Sequence, residues 1–162
     1  MNNVFVGYLQ SPLGLVEIMG TDKHIAYVNF VIDKGEESEN LPSVILQCKK
    51  ELEEYFSGKR KEFSINTKAD GTDFQKSVWK QLMDIKYGET KSYGDIAKQM
   101  NDINASRAVG HANGKNPIAI IVPCHRVIGE SGKLTGYAGG MWRKQWLLDL
   151  EGNVSGKNPT LF

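Results

Sequence analysis

Hydrophobic and polar residues alternate along the first thirty positions in a pattern typical of β-strands. Three runs rich in Val, Ile, Phe and Tyr predict three short strands, at residues 4–10, 14–20 and 24–31. A helical pattern follows at about residues 42–57, and Cys48 falls in step with its apolar positions. Cys48 is therefore predicted to be a core residue. The piece from Glu62 to Asn66 is predicted to join the sheet as an extended segment.

Beyond residue 71 the pattern becomes helical. Thr72 or Asp73 is predicted to cap a first helix. Ser92, with Asp95 three residues later, is predicted to cap a second helix, and a third begins near Ala105. Two short helices joined by a tight polar turn predict a helix-turn-helix, a pattern that also occurs in proteins that do not bind DNA.

The change from strand to helix patterns predicts two domains. Residues 67–71 are polar and contain a glycine, which favours a boundary there. We predict an α/β domain at 1–71, built from an antiparallel sheet and one helix. Residues 72–162 are predicted to form a mostly helical domain. A chain of 162 residues suits this division into two small domains.

Charge differs between the two predicted domains although the whole chain carries a net charge of only +1. Residues 1–71 hold 8 basic and 11 acidic residues, whereas residues 72–162 hold 12 basic and 8 acidic residues. The modestly basic second half suits an anionic partner. No stretch approaches the roughly 20 apolar residues of a membrane span, and no signal peptide is apparent, so a cytoplasmic location is expected and a nuclear one stays open.

The most informative chemistry follows the apolar run at 118–122, which predicts a short buried strand or extended segment. Pro123 cannot donate to a strand ladder, so the chain is expected to turn there. The thiol of Cys124 would then lie beside His125 and Arg126. Cationic or basic neighbours lower the pKa of a thiol, so the segment is predicted to present an activated sulfur. The alternative is that Cys124 is a small buried hydrophobic residue.

Two cysteines and three histidines show no spacing typical of metal ligands, and two cysteines do not make a disulfide framework. We therefore predict no metal site and no cofactor.

Several motifs together resemble the O6-alkylguanine-DNA alkyltransferases, which accept an alkyl group from DNA onto a cysteine. The motifs that carry the resemblance are Asn116-Pro117, Pro123-Cys124-His125-Arg126-Val127, Gly136-Tyr137-Ala138-Gly139-Gly140 and Trp146-Leu147-Leu148-Asp149-Leu150-Glu151-Gly152. The resemblance is dense from Thr72 to Gly152. Before Thr72 it is weaker, and Ser11-Pro12-Leu13-Gly14 is the best match. It implies a ribonuclease-H-like first domain and a helix-turn-helix, winged-helix-like second domain.

The resemblance also implies a reaction, the direct repair of O6-alkylguanine. Cys124 would attack the alkyl carbon and keep the alkyl group as a thioether, so each molecule would act once and need no cofactor. His125 would be the base, linked to Cys124 by a water, and Glu151 would orient the imidazole. Without the motif, Glu151 would be a solvated carboxylate near the end of a helix at 142–150 that Gly152 caps. Activity on O4-alkylthymine stays open.

Two residues are implied to act on DNA. The predicted third helix is rich in small residues that permit close approach, and Arg107 is its one long cation. Arg107 corresponds to the arginine that enters the base stack when the alkylated nucleotide flips out, and Tyr93 to the tyrosine that contacts the guanine. Flipping is required because the O6 alkyl group cannot meet a protein sulfur inside the duplex. The implied partner is double-stranded DNA, bound by a monomer through its minor groove.

The remaining implied residues surround the base. Four of them contact the guanine or line the alkyl pocket: Val127, Tyr137, Ala138 and Gly139. Asn116 would tie the small-residue helix to the cysteine segment. Asn113 stands where some relatives carry methionine, which leaves the preferred size of the alkyl group open. Arg126 is assigned no catalytic role, and the sequence leaves open whether it bonds internally or contacts DNA.

Three other functions compete with this interpretation. A lesion-binding protein that does not react would lack the nucleophile, whereas this chain keeps Cys124, His125 and Glu151. A cysteine hydrolase would need an oxyanion hole and would leave the helix that carries Arg107 unexplained. A plain helix-turn-helix regulator would leave the Pro-Cys-His-Arg-Val segment unexplained.

Overall fold

The structure is a computed structural model, and it describes residues 3–132 and 134–156. The chain forms two compact units, Met1–Asp70 and Gly71–Phe162. No helix among the described residues has the length and apolar character needed to cross a membrane.

The first unit is a three-stranded antiparallel sheet covered by one helix. Its elements are β1 (Phe5–Ser11), β2 (Gly14–Gly20), β3 (Ile25–Val31) and α1 (Ser43–Phe56), with the strands in the order β1-β2-β3. Val16 and Ile18 alternate with more exposed neighbours on β2 and are fully buried, as are Ile45 and Leu52 on α1. Cys48 is buried on the same helix, which confirms that it is a core residue.

The segment between Glu62 and Asn66 joins the sheet only at its end, where the Asn66 carbonyl accepts from Ile25 N–H at 2.9 Å, and it forms no strand of its own. It meets the sheet through a single parallel bridge between Ile25 and Thr67. The Ser64 N–H and hydroxyl both donate to the carboxylate of Glu51, at 2.9 and 2.6 Å. Because a side chain on α1 takes the Ser64 N–H, that group is not available to a strand ladder.

The second unit is mostly helical. Its elements are α2 (Asp73–Leu82), β4 (Lys91–Ser92), α3 (Tyr93–Gln99), α4 (Ser106–Gly114), a 3-10 turn (Cys124–Arg126), β5 (Val127–Ile128) and α5 (Met141–Val154). Thr72 and Ser92 begin α2 and α3 with reciprocal capping boxes, as predicted from their side chains. β4 and β5 pair in parallel and bring the start of α3 beside the segment that follows Cys124. The α/β and helical halves confirm the predicted fold class.

The helix-turn-helix is formed by α3 and α4, which pack against each other and against α2. The Trp79 indole N–H on α2 donates to the Ala112 carbonyl on α4 at 2.8 Å, and both residues are buried. This bond takes up a polar group that would otherwise be costly to bury. It fixes α2 to the helix that carries Arg107.

The apolar run at 118–122 is a series of turns, not the strand or extended segment predicted for it. Ile120 has a φ of 73°, and Ile121 N–H donates to Ala119 O at 2.8 Å across it, which makes a γ-turn. Val122 N–H donates to Ile118 O at 3.0 Å. A β-branched residue with positive φ is strained by roughly 1–3 kcal/mol and persists only where surrounding contacts fix it.

The last helix runs further than predicted. α5 extends from Met141 to Val154, and Ser155 is its C-cap, so the prediction of a helix at 142–150 capped by Gly152 was wrong. Gly152 is buried within the helix. Glu151 consequently projects from the body of α5 and is 1% exposed, not solvated at a helix end.

Candidate active site

Cys124 is the first residue of the 3-10 turn and is buried, with 6% of its surface exposed. Pro123 has φ −82° and ψ 63°, and Cys124 N–H donates to Val122 O at 2.8 Å across it. These values describe an inverse γ-turn. The proline therefore turns the chain directly before the thiol, as the sequence predicted.

The turns before Cys124 are held by one amide side chain. Asn116 accepts from Ile118 N–H at 3.0 Å and donates to the carbonyls of Ile118 and Val122, at 3.3 and 2.8 Å. It lies directly after the C-cap of α4, at Lys115. Asn116 thus connects the end of α4 to the segment that positions Cys124, the place that the family resemblance implied for it.

His125, Arg126 and Glu151 form a buried cluster next to Cys124. His125 Nε2 lies 2.7 Å from Glu151 Oε2. Arg126 binds both oxygens of the same carboxylate, Nε at 2.8 Å and Nη2 at 3.0 Å, and donates from Nη1 to Ile85 O at 2.6 Å. Arg126 is therefore an internal ligand of Glu151. A bidentate guanidinium fixes the plane of the carboxylate that orients the imidazole.

The electrostatic interactions in this cluster favour an ionised Glu151 carboxylate beside a neutral His125 ring. Burial alone would raise the pKa of Glu151, but the neighbouring His125 and Arg126 hold it well below its usual range. Burial lowers the pKa of His125, against the opposing effect of Glu151. His125 Nδ1 is buried and has no hydrogen-bond partner among the described residues. The ring can therefore accept a proton at Nδ1 while Glu151 stabilises the resulting imidazolium.

Burial and the groups around Cys124 act on the ionisation of its thiol in opposite directions. Burial raises the pKa of Cys124, while hydrogen bonding to Asn116 and the charge of Lys144 oppose that increase. Desolvation outweighs these two groups because the sulfur lies inside the unit, and Arg126 is committed to Glu151. The resting nucleophile is a thiol that needs a base.

Lys144 is a site residue that the sequence analysis missed. It is fully buried on α5, and its ammonium donates to the carbonyls of Val127 and Thr135. Burial lowers its pKa to about 8. Lys144, Leu147 and Glu151 are buried at helical spacing on α5. That shared face is the one signal in the sequence that could have revealed a lysine pointing inward.

The two predicted tyrosines, Tyr93 and Tyr137, lie at the start of α3 and in the loop before α5. Tyr93 is the first residue of α3, and its hydroxyl lies 2.8 Å from Thr135 Oγ1. The Tyr137 hydroxyl is buried without a hydrogen-bond partner among the described residues. Burial, and then the charge of Cys124, raise the pKa of Tyr137 well above its usual range.

The other predicted pocket residues lie in two segments. Val127 is buried in β5, and its carbonyl is held by Lys144. Ala138 is exposed and Gly139 half-buried in the loop before α5. Arg143 Nη1 donates to Gly139 O at 2.8 Å and fixes that loop to the helix. Val127 and the Tyr137 hydroxyl are thus buried, whereas Ala138 is exposed.

Arg107 lies away from this buried cluster, on the exposed face of α4. There it lines a groove of about 590 Å³ between α4 and the start of α2, together with Phe74 and His111. An exposed arginine on a helix of small residues is available to a partner. Among the described residues, no group of three His, Cys, Asp or Glu side chains could hold a metal ion.

Comparison with known proteins agrees with this arrangement. Residues 73–153 match the family model described as the 6-O-methylguanine DNA methyltransferase DNA binding domain, and residues 4–69 match its ribonuclease-like domain. The chain belongs to this family. The matched domains place Cys124, His125, Arg126 and Glu151 within the DNA-binding part of the family.

Individual relatives extend over nearly the whole chain. The methylated-DNA–protein-cysteine methyltransferase of Methanosarcina acetivorans is 46% identical over 157 residues, which cover 93% of this chain and 99% of the relative. The protein of the same name from Mycolicibacterium paratuberculosis is 48% identical over 159 residues, covering 95% and 96%. The crystal structure of Mycobacterium tuberculosis OGT in complex with DNA matches with a TM-score of 0.82 and 45% identity, covering 91% of this chain and 93% of that one.

Proposed function

We propose that this chain repairs DNA directly, by transferring the alkyl group of O6-alkylguanine irreversibly to Cys124. One observation carries the proposal: a buried thiol is followed by a histidine whose far nitrogen is bound to a buried carboxylate. The family shared with methylated-DNA–protein-cysteine methyltransferases supports the reaction class, and a relative solved with DNA supports the partner.

The transfer is an in-line displacement that His125 initiates. The imidazole accepts the thiol proton of Cys124 through a bridging water, because burial disfavours a standing thiolate. Sulfur then attacks the alkyl carbon, an S–C bond forms, and the C–O6 bond breaks with its electron pair passing to guanine. Guanine takes a proton from the phenol of Tyr93. The imidazolium and phenolate are neutralised by proton exchange with solvent, so the net change moves the thiol proton to guanine.

The product is stable because a thioether has no easy leaving group, and no residue of the relay regenerates the thiol. Each molecule therefore transfers one alkyl group. The substrate nucleotide must leave the duplex to reach a sulfur that is 6% exposed, and we assign the vacated place in the base stack to Arg107. We further propose binding as a monomer from the minor groove, with O4-alkylthymine as a second substrate to be tested in the same assay. The two free cysteines suit a reducing compartment such as the cytoplasm.

Intact-protein mass tests the proposal. The protein is incubated with a duplex that carries one O6-methylguanine, alongside Cys124→Ala and an unmodified duplex. We expect one added methyl group per molecule, mapped to Cys124, and no further addition with excess substrate. An unchanged mass with retained preference for the alkylated duplex would instead indicate a lesion-binding protein, and an unchanged mass without DNA binding would contradict both functions.

A further inference from the structure

The Tyr93 side chain is held at both of its ends. Its ring packs against α4 at Gly110, where an added Cβ would lie 3.5 and 3.6 Å from two ring carbons. Its hydroxyl lies 2.8 Å from Thr135 Oγ1. These two contacts restrict the position of the ring, so the orientation of the phenol O–H depends on Thr135, which lies against its oxygen.

Thr135 is in turn fixed by a buried charge. The Lys144 ammonium donates to the Thr135 carbonyl at 2.8 Å and also to the carbonyl of Val127. Val127 directly follows the 3-10 turn that carries Cys124. The threonine is thus tied to the segment of the nucleophile by its backbone and to the phenol by its side chain.

The phenol of Tyr93 has a single proton, and this decides whether Tyr93 or Thr135 must be the donor in their hydrogen bond during transfer. A phenol has one proton, and a phenol that donates it to Thr135 cannot give it to guanine. The threonine hydroxyl has a proton of its own and can donate to the phenol oxygen. That arrangement leaves the phenol proton for the departing base.

We propose that Thr135 is a positioning residue for alkyl transfer, which donates its hydroxyl proton to the Tyr93 oxygen and so directs the phenol proton toward guanine. This inference rests on the proposed function, in which Tyr93 protonates the leaving guanine. Thr135 does not touch the reacting atoms, and its effect passes through Tyr93.

A double-mutant cycle tests the inference. Single-turnover rates of methyl transfer from an O6-methylguanine duplex are measured for the wild type, Thr135→Val, Tyr93→Phe and the double variant. Valine keeps the shape of threonine without its hydroxyl, so we expect Thr135→Val to slow transfer roughly 3–10-fold, the effect of one hydrogen bond. In the Tyr93→Phe background the same change should alter the rate less than about 2-fold. Thr135→Ser keeps the hydroxyl and should restore most of the wild-type rate.

The result that overturns the inference is an equal loss in both backgrounds, or a Thr135→Val rate at or above that of the wild type. Duplex affinity and thermal unfolding of each variant separate this effect from a change in binding or folding. Thr135→Ala replaces valine in the cycle if the valine variant does not fold. A wild type that transfers no methyl group contradicts the proposed function itself, whereas normal transfer with an unaffected Thr135→Val contradicts only the role of Thr135.

Discussion

Each unit of the protein buries a cysteine and a glutamate, yet only one of the two pairs is placed to react. Cys48 and Glu51 lie on α1, 0% and 2% exposed, and Cys124 and Glu151 lie in the second unit, 6% and 1% exposed. By burial alone the pairs are nearly identical. Their hydrogen-bond partners distinguish them.

Glu51 binds groups that do not titrate near neutral pH, whereas Glu151 binds a histidine. Ser64 and Gln47 donate to Glu51. Burial, with a further contribution from Glu51, raises the pKa of Cys48 to about 12. Around Cys124, by contrast, Asn116 and Lys144 counter the effect of burial. A buried thiol is therefore inert by default, and a base together with groups that stabilise the thiolate makes the difference.

Removing the sulfur of Cys124 should have the largest effect on methyl transfer. Cys124→Ser should abolish methyl transfer to the protein, since an alkoxide is far harder to form in a buried site than a thiolate. Cys48→Ser should still accept one methyl group per molecule. Intact mass after incubation with O6-methylguanine DNA measures both. Methylation of Cys48 in the wild type would remove the distinction between the two units.

Replacing Glu151 and replacing Glu51 should change the rate of methyl transfer nearly as differently as replacing the two cysteines does. Glu151→Gln removes the anion that stabilises the His125 imidazolium, and we expect transfer to slow by roughly 10²–10⁴-fold. The same change leaves Arg126 buried without a counter-ion, so the variant should also unfold at lower temperature. Glu51→Gln is the matched control, and it should lose stability without a change in transfer rate. Equal effects of the two variants on the rate would show that Glu151 acts only through folding.

Removing the buried ammonium should have a smaller effect. Lys144→Met removes the charge near Cys124 and the donor that binds the carbonyls of Val127 and Thr135. We expect transfer to slow by roughly 10–100-fold, which is the effect of one hydrogen bond to a charged group. Lys80→Met, an exposed lysine on α2, should leave the single-turnover rate unchanged. A wild-type rate in Lys144→Met would show that the Lys144 charge has no part in the reactivity of Cys124.

The smallest expected effect is on the pH dependence of the free energy of unfolding. Burial lowers the pKa of His125 in the folded protein, whereas an unfolded histidine titrates near 6.5. Below that pH the unfolded chain binds the extra proton, so the free energy of unfolding should fall by up to about 1.4 kcal/mol per pH unit. Denaturant unfolding from pH 7.5 to 5 measures this, and His125→Gln should show a shallower slope. Identical slopes would mean that the pKa of His125 is the same in the folded and the unfolded protein.

Much of the fold could be predicted because local patterns specified it. Runs rich in Val, Ile, Phe and Tyr indicated the three strands, and the polar side chains of Thr72 and Ser92 marked the starts of two helices. The apolar run at 118–122 was misassigned because hydrophobicity indicates burial and not backbone conformation. Its turns depend on Asn116, whose contacts form only once the chain has folded.

The sequence predicted most of the residues that form the site, but it did not predict their protonation states. Motifs identified Cys124, His125 and Glu151, and the structure brings the three together in one buried cluster. The protonation state of the sulfur depends on desolvation, which a motif does not report. Lys144 was missed because a lysine normally indicates an exposed position, and its two carbonyl partners lie 17 and 9 residues away in sequence.

Position 116 limits how far this protein can vary in sequence. One side chain serves one backbone donor and two backbone acceptors there, which requires a carbonyl and an amide nitrogen at a fixed reach. Aspartate lacks the donor, leucine lacks both groups, and glutamine places the amide one carbon too far. A library randomised at this codon and selected for survival under alkylating agents should therefore return asparagine alone. A residue that acts through hydrogen bonds to backbone groups can therefore restrict the sequence as strictly as a reacting side chain.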